Sequence, residues 1–278
     1  MLTTEQFNRM RRLALRLAGI ELFERHRELL GRRSRRLGIL DCAGMDSLLG
    51  AAEEQDADAT RRVVSLLTTN FTGFFRHPWH FDVAAEHALS AAHRRSEARL
   101  WSAAAATGEE PYSIAMVLIE VFRHDDPPAT ILATDIDVDA LAVAERGEYG
   151  ERVLRALEPE RRARFFTEKA GKRWGVAPAV RRLVEFQALN LADVTWRVDG
   201  PFDVIFCRNV LMYLEGCHRY AVLERMASLL APDGLLILDL TEHLGKTAHL
   251  FTLVSDGVYS RQREFRPPDI ASDFLSKI

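Results

Sequence analysis

Two adjacent glutamates and a run of small residues follow a short apolar run, in the sequence WSAAAATGEEPYS at 101–113. Open α/β sheets bind ligands at such strand-to-helix turns, and the alanines at 103–106 let a ligand approach the backbone. Glu109 and Glu110 would repel the phosphate that a helix N-terminus attracts, so the loop favours a cationic ligand. S-adenosylmethionine, with its ammonium and sulfonium groups, fits better than a nucleotide diphosphate. The alternative is that both glutamates only stabilise the start of the helix.

A second apolar run ends in the sequence ATDID at 133–137. It places Asp135 at the carboxyl edge of the predicted sheet, where a carboxylate can accept hydrogen bonds from both ribose hydroxyls. The alternative is a helix cap, a role that we assign to Asp137. Asn190 and Leu191 end another run and are expected to reach the same crevice, near the adenine ring.

A third apolar run, at 202–207, leads into three polar side chains. Arg208, Asn209 and Tyr213 follow its carboxyl end, which is the active-site edge of a parallel sheet. Each of them, taken alone, could equally be structural. Cys207 lies inside the run and is predicted to be a core residue rather than a nucleophile.

The sequence TNFTGFFR at 69–76 combines hydroxyl, amide, aromatic and guanidinium groups outside the sheet pattern. It predicts a lid over the cofactor; the alternative is a connector with two aromatic anchors and a solvated arginine. His77 and His80 have the spacing of a metal-binding pair. Because Pro78 disturbs the helix that such a pair needs, we predict no metal site.

Short apolar runs alternate with amphipathic helical segments from residue 99 onward. The runs and the helices that follow them lie at 99–102 and 111–122, at 130–135 and 138–146, and at 202–207 and 219–230, with a last run at 235–240. This alternation predicts an α/β fold with a mostly parallel, doubly wound, Rossmann-like sheet, and Pro111 suits the first turn of its helix. The runs at 250–254 and 258–263 flank a Ser-Asp-Gly turn and predict a terminal antiparallel hairpin.

Two regions depart from this alternation. Apolar residues recur at three- and four-residue steps near the N-terminus, which predicts a small all-helical domain. Glycines and a proline between 166 and 186 break any helix and predict a small β subdomain inserted in the sheet domain. The predicted organisation is a helical domain at 1–67, a linker with the lid at 68–95 that runs into a helix near 82–92, and a sheet domain at 96–278.

The composition excludes several classes of protein. The chain has 278 residues, 47% of them apolar, and a net charge of −3, which does not point to nucleic acid or an anionic membrane as partner. Three cysteines without a CxxC pair favour a reducing compartment. Neither a signal peptide nor a membrane-spanning run is apparent, so we expect a cytoplasmic protein without membrane insertion.

Four motifs, in this order along the chain, resemble the CheR family of chemotaxis receptor methyltransferases: NFTGFFR at 70–76, GEEPYS at 108–113, ATDID at 133–137 and IFCRN at 205–209. The resemblance implies a helical N-terminal domain, a linker, and a methyltransferase domain with a β subdomain. It also implies roles for individual residues. The residues that would bind S-adenosylmethionine and line the substrate pocket are Asn70, Thr72, Arg76, Glu110, Asp135, Asn190, Leu191, Arg208 and Asn209, and Tyr213 would face the reaction centre.

The implied reaction is in-line attack of a receptor glutamate on the sulfonium methyl, which gives a glutamate methyl ester and S-adenosylhomocysteine. No general base is required, because glutamate is ionised at neutral pH. We expect Arg76 to orient the incoming carboxylate and Tyr213 to shape the methyl path. The N-terminal domain would contact the receptor, since ten arginines precede residue 41 against four acids there. Acidic helices in the cytoplasmic part of the receptor would be attracted to that surface.

The chain departs from the family pattern in three places. The usual GHSE-like stretch is replaced by DLTEH at 239–243, which leaves the role of His243 open. The β subdomain looks short beside family members that bind a receptor C-terminal pentapeptide, so we expect action that is independent of that peptide. We also expect the enzyme to be a monomer. Alanines stand in the first loop where glycine or cysteine is frequent. Two other functions are alternatives: a regulatory protein that binds the cofactor without turnover, and a dehydrogenase, which the missing GxGxxG motif disfavours.

Overall fold

The structure is a computed structural model that describes residues 2–262. Its N-terminal region is helical, as predicted. The helices are α1 (Thr4–Ala18), α2 (Arg27–Arg36), α3 (Cys42–Glu53) and α4 (Ala57–Leu67). Reciprocal hydrogen bonds between Thr3 and Gln6 cap the start of α1, and Gly19 ends it with a φ of 62°. Phe7, Met10 and Leu49 are among the buried residues that join these helices in one apolar core.

A seven-stranded sheet forms the centre of the rest of the chain and confirms the predicted α/β fold. Its strands are β1 (Ala98–Ser102), β2 (Ala129–Asp135), β6 (Val184–Ala188), β7 (Phe202–Phe206), β8 (Leu230–Ile237), β9 (Phe251–Ser255) and β10 (Val258–Arg261). They lie in the order β6-β2-β1-β7-β8-β10-β9. The first five are parallel, and β9 and β10 form the predicted antiparallel hairpin. Residue 263, which the predicted hairpin included, lies outside the described residues.

Helices pack against the sheet, and its central strands are buried beneath them. They are α5 (Pro78–Arg95), α6 (Glu109–Phe122), α7 (Val138–Arg146), α8 (Glu151–Leu154), α9 (Pro159–Phe165), α10 (Pro178–Arg182) and α11 (Gly216–Leu229). Two large apolar clusters form the core, one containing Phe81 and Phe206 and the other containing Trp101 and Phe202. Cys207 belongs to the second cluster, and burial raises the pKa of its thiol well above the usual value. Within residues 2–262 no helix is both long and apolar enough to span a membrane.

The β insertion differs in detail from the sequence prediction. Three short antiparallel strands form it, in the order β3 (Glu148–Gly150), β5 (Arg173–Val176) and β4 (Phe166–Lys169). The first of them lies outside the predicted range of 166–186, and within that range Pro178–Arg182 forms the helix α10 rather than a strand. The residues from Val184 onward pair with β2 in the main sheet, since their register continues its parallel ladder.

Candidate cofactor and substrate site

A pocket lies at the carboxyl ends of β1, β2 and β7. All ten residues predicted from sequence line it: Asn70, Thr72, Arg76, Glu110, Asp135, Asn190, Leu191, Arg208, Asn209 and Tyr213. They come from five separate stretches of the chain, and the parallel topology brings their strand ends together. The position of these side chains is thereby established, whereas their individual roles remain proposals.

The loop after β1 is folded for close approach to its neighbours. Gly108 has a φ of 96°, and a Cβ atom there would lie 2.8 Å from the Cβ of Ala144 and 2.9 Å from the hydroxyl of Tyr149. Only glycine fits this position without strain. Helix α6 begins directly after this glycine, at Glu109, which is two residues before the predicted start at Pro111. The alanines at 103, 104 and 106 form the adjoining wall of the pocket.

The two glutamates at the start of α6 have different surroundings. Glu110 lines the pocket, and its carboxylate accepts hydrogen bonds from the Ser102 hydroxyl at 2.8 Å and from Arg208 at 3.1 Å. Burial raises the pKa of Glu110, and the charge of Arg208 opposes that rise. Glu109 is buried, accepts a hydrogen bond from Thr107 at 2.6 Å, and is not among the lining residues. Of the two predicted acids, Glu110 is thus the one that faces a ligand.

Asp135 occupies the end of β2 and faces the same pocket. Its two carboxylate oxygens accept hydrogen bonds from the backbone N–H of Ala106 at 2.8 Å and of Asp137 at 2.9 Å. Burial raises the pKa of Asp135 against the opposing effect of these bonds. Asp137 caps α7, as predicted, by accepting from the N–H groups of Asp139 and Ala140. The other oxygen of Asp137 holds the lid, described next.

The predicted lid connects the helical region to the sheet and is fastened at several points. The amide of Asn70 donates to Asp137 at 2.8 Å. Phe74 is buried in edge-to-face contact with Tyr149 and Phe166. Phe75 donates its backbone N–H to the hydroxyl of Ser113 at 3.0 Å. The segment is therefore an ordered wall of the pocket with two aromatic anchors, which combines the two alternatives considered from sequence.

Arg76, at the end of the lid, keeps much of its guanidinium exposed. Its side chain is 36% exposed, and one N–H points to the carbonyl of Phe71 at the long distance of 3.5 Å. Arg208 is almost fully buried and donates to Glu110 and to the backbone carbonyl of Arg76. The two arginines thus differ in availability: Arg208 is a fixed part of the wall, and Arg76 has N–H groups free to meet a ligand.

The wall opposite the lid includes the N-terminal region. The Asn190 amide donates to the backbone carbonyl of Leu17 at 2.9 Å and to Asp193 at 2.8 Å. Ala18, the last residue of α1, and Ile20, just after it, also line the pocket. A short β-bridge joins Ile20 to Leu214, next to Tyr213. The helical region therefore contributes directly to the pocket.

Sequence reasoning missed the residue that supports the loop after β7. Glu242 is buried, and its carboxylate accepts four backbone hydrogen bonds, from Asn209 at 2.9 Å, Val210 at 3.0 Å, Leu211 at 2.8 Å and Asp239 at 3.1 Å. Asn209 has a φ of 60°, in the left-handed region that asparagine tolerates better than most residues, and the bonds to Glu242 fix the loop in that conformation. The only sequence signal was an acid in the DLTEH stretch, and His243 beside it is exposed.

The two histidines considered for metal binding have other partners. His77 lies 3.3 Å from Asp239, and the buried ring of His80 lies 3.1 Å from the backbone carbonyl of Asp256. Elsewhere in the part of the chain that the structure covers, ligand atoms of Glu215, Cys217 and His218 lie within 4.8 Å of one another. Glu215 there caps α11 by accepting from Cys217, so we assign the group to helix capping.

The chemistry of this pocket fits S-adenosylmethionine. Glu110 and Asp135 place two carboxylates in the pocket for a cationic ligand with a ribose, and burial raises the pKa of each, a shift that is frequent at functional sites. The small side chains at 103, 104 and 106 leave room next to the backbone.

Comparison with known proteins agrees with this geometry. Residues 70–259 match the family model described as CheR methyltransferase, SAM binding domain. Chemotaxis protein methyltransferase 2 of Pseudomonas aeruginosa is 38% identical over 262 residues, which cover 93% of each chain. The chemotaxis protein methyltransferases of Salmonella typhimurium and Escherichia coli are each 37% identical over 270 residues, covering 95% of this chain and 92% and 93% of theirs.

The match extends over more than half of the chain and includes every stretch that lines the pocket on the sheet side. The protein is accordingly a methyltransferase with S-adenosylmethionine as its cofactor, and it belongs to the CheR methyltransferase family.

Proposed function

We propose that this enzyme methylates glutamate side chains of methyl-accepting chemotaxis receptors, giving glutamate methyl esters and S-adenosylhomocysteine. The names of its relatives, chemotaxis protein methyltransferases, support the pathway. The observation that carries the choice of substrate is a basic groove on the helical region that opens into the cofactor pocket.

The groove runs along α2 and is lined by Arg32, Arg33 and Arg36 together with Leu29 and Leu37. Its far end shares the residues at 68–71 with the cofactor pocket. Phe71, at the junction, is 78% exposed. An acidic amphipathic helix fits such a surface, since arginines attract its carboxylates and the leucines and Phe71 accept its apolar side. A glutamate on that helix would enter the pocket beside Arg76.

The chemistry then needs orientation rather than a proton acceptor. The bound cofactor supplies a methyl group on a positively charged sulfur. The substrate glutamate is already ionised at neutral pH, so no base is required. Arg76 orients the carboxylate through a charge-assisted hydrogen bond, for which its exposed N–H groups are available, and Tyr213 shapes the path from the other side.

The remaining lining residues hold the cofactor in this proposal. Asp135 receives the ribose hydroxyls, and Glu110 receives the ammonium of the amino acid end. The other proposed cofactor-binding residues are Asn70, Thr72, Asn190, Leu191, Arg208 and Asn209, all of which line the pocket.

The test is a methylation assay on a purified receptor cytoplasmic fragment with methyl-labelled S-adenosylmethionine. A glutamate methyl ester releases its label as methanol in mild base, whereas N-methylation does not. We expect base-labile label, and loss of at least tenfold in kcat/KM in Arg76→Ala with unchanged binding of S-adenosylhomocysteine. Base-stable label would assign a different acceptor. Cofactor binding without methylation of receptor fragments would favour the regulatory alternative.

We further propose that the enzyme acts in the cytoplasm, as a monomer, and without a receptor C-terminal pentapeptide. The small size of the β subdomain, whose strands span three or four residues each, supports the last point. Equal methylation of a full receptor and of one lacking its last five residues would support it, and a strong preference for the full receptor would contradict it. Sedimentation of the purified enzyme tests the oligomeric state.

A further inference from the structure

Asp239 is a buried carboxylate immediately behind the pocket that the catalytic proposal does not use. It follows β8 and is 3% exposed. One of its oxygens is fixed, since Oδ1 accepts from the backbone N–H of Thr241 at 3.1 Å and from its hydroxyl at 2.8 Å. The other, Oδ2, accepts no hydrogen bond from the residues described. A buried carboxylate oxygen without a donor is costly, so its neighbours need explanation.

Two cationic or potentially cationic side chains face that oxygen. Arg76 Nη2 lies 3.8 Å from Oδ2, and His77 Nε2 lies 3.3 Å from it. Burial opposes the ionisation of Asp239, but the groups around it, Thr241, Asn209 and Arg76, outweigh burial and lower its pKa to about 2. The side chain is therefore a fixed negative charge at any physiological pH.

Arg76 makes few close contacts that could hold its guanidinium in place. Its hydrogen bond within the lid is long, at 3.5 Å, and among the residues described Asp239 is the acid in ion-pair contact with it. At 3.8 Å the two groups attract each other, yet the distance is too long for a hydrogen bond. The guanidinium is thus held in place while its N–H groups stay available to another carboxylate.

Asp239 is itself held rigidly. Its backbone N–H donates to Glu242, whose carboxylate also binds the backbone of Asn209 in the pocket wall. The charge behind Arg76 and the pocket wall beside it are therefore fixed by the same carboxylate. A rigid charge that attracts without binding is suited to pre-orienting a mobile side chain.

We infer that Asp239 is a positioning residue that holds Arg76 at the pocket, ready for the methyl-accepting carboxylate. The inference rests on the proposed role of Arg76 and adds the residue through which that role is maintained. Asp239 touches neither cofactor nor substrate in this view and acts only through Arg76.

The test is a double-mutant cycle with Asp239→Asn and Arg76→Ala, measured with a receptor cytoplasmic fragment. Asn at 239 keeps an oxygen for Thr241 and removes the charge. We expect Asp239→Asn alone to lower kcat/KM at least fivefold while the Kd for S-adenosylhomocysteine changes less than twofold. In the Arg76→Ala background the same substitution should change kcat/KM less than twofold. Asp233→Asn, which also neutralises an arginine-paired acid but far from the pocket, is the control and should leave kcat/KM unchanged.

The outcomes separate this inference from the proposed function. An equal loss in both backgrounds means that Asp239 acts through the fold and overturns the inference, as does an unchanged kcat/KM in Asp239→Asn. An unchanged kcat/KM in Arg76→Ala alone refutes the proposed role of Arg76, and the inference with it. If Asp239→Asn does not fold, Asp239→Ser removes the charge with a smaller polar group and is measured in the same cycle.

Discussion

Replacing Glu242 by glutamine tests whether this buried carboxylate builds the pocket wall. The substitution preserves the length and shape of the side chain and replaces one acceptor oxygen by an NH₂ group. In the native protein Oε1 accepts from Val210 and Leu211, and Oε2 accepts from Asn209 and Asp239. Whichever way the amide is oriented, two backbone N–H groups then face a donor instead of an acceptor.

The expected loss of folding stability follows from the two N–H groups that lose their acceptor. A buried donor left without an acceptor costs about 1–3 kcal/mol, so two of them cost about 2–6 kcal/mol. This is a large fraction of the roughly 5–15 kcal/mol that stabilises a typical domain. The pocket should suffer as well, because Arg208 and Asn209 lie in or directly before the loop that Glu242 holds. We expect the Kd for S-adenosylhomocysteine to rise at least tenfold.

Urea unfolding followed by circular dichroism measures the stability, and calorimetry measures the affinity. Glu145→Gln, in an exposed position on α7, is the matched control and should stay within about 0.5 kcal/mol of the wild type. If Glu242→Gln unfolds at the same urea concentration as the wild type and binds S-adenosylhomocysteine equally well, then the four hydrogen bonds do not stabilise the loop after β7. That result would refute the role assigned to Glu242.

Three further predictions concern the pocket and the groove. Asp135→Asn should raise the Kd for S-adenosylhomocysteine at least 30-fold by calorimetry, since hydrogen bonds to a charged acceptor contribute about 1.5–3 kcal/mol each; a change below threefold contradicts the ribose assignment. Burial raises the pKa of Glu110 above 4.5 and that of Asp135 above 3.8, so both carboxylates begin to take up protons at a higher pH than usual. The affinity for S-adenosylhomocysteine, titrated downward from pH 7, should therefore fall before pH 4.5 is reached. A constant affinity between pH 7 and pH 4.5 contradicts this prediction. Arg36→Glu, in the last turn of α2, should raise the KM for the receptor fragment and weaken the dependence of that KM on salt, whereas Arg146→Glu, in the last turn of α7, should leave both unchanged; equal effects contradict the groove.

The residues at the ends of strands could be predicted because the topology itself places them. Once alternating runs and helices indicate a parallel sheet, Asp135 and Arg208 must meet at one edge, wherever the helices lie. The role of Glu242 could not be predicted in this way. Its partners lie 31 to 33 residues earlier in the chain, apart from Asp239, and they are backbone groups, which leave no mark on the sequence.

The β insertion shows the same limit for short strands. Glu148–Gly150 has three residues, too few for an alternating pattern, and it becomes a strand only by pairing with β5. Val184 and Phe186 read equally well as a strand of the insertion or of the main sheet. Their partner, β2, decides between the two, and a pairing partner is not encoded in the local sequence.

The arginines of the helical region show why a count of charges overstates a binding surface. Arg9 pairs with Glu53 and Asp46, and Arg33 donates to the backbone carbonyls of Leu66 and Leu67. Arg16 and Arg27 likewise donate to backbone carbonyls. Much of the positive charge that sequence assigns to receptor contact therefore stabilises the fold, and the arginines of the α2 groove that remain for the proposed contact are Arg32 and Arg36.

The lid shows how the structure combines a fixed and an adjustable end. Asn70 is hydrogen bonded at 2.8 Å to Asp137, which follows β2, whereas Arg76 lies 3.8 Å from Asp239, which follows β8. The buried ring of Phe74 prevents the lid from moving as one piece. In the proposed reaction, a substrate side chain therefore meets Phe71 and the guanidinium of Arg76 while the anchored part of the lid stays in place. The part of the lid that is proposed to meet the substrate is also the part with the weakest internal hydrogen bonds, which leaves the N–H groups of Arg76 available to the proposed receptor glutamate.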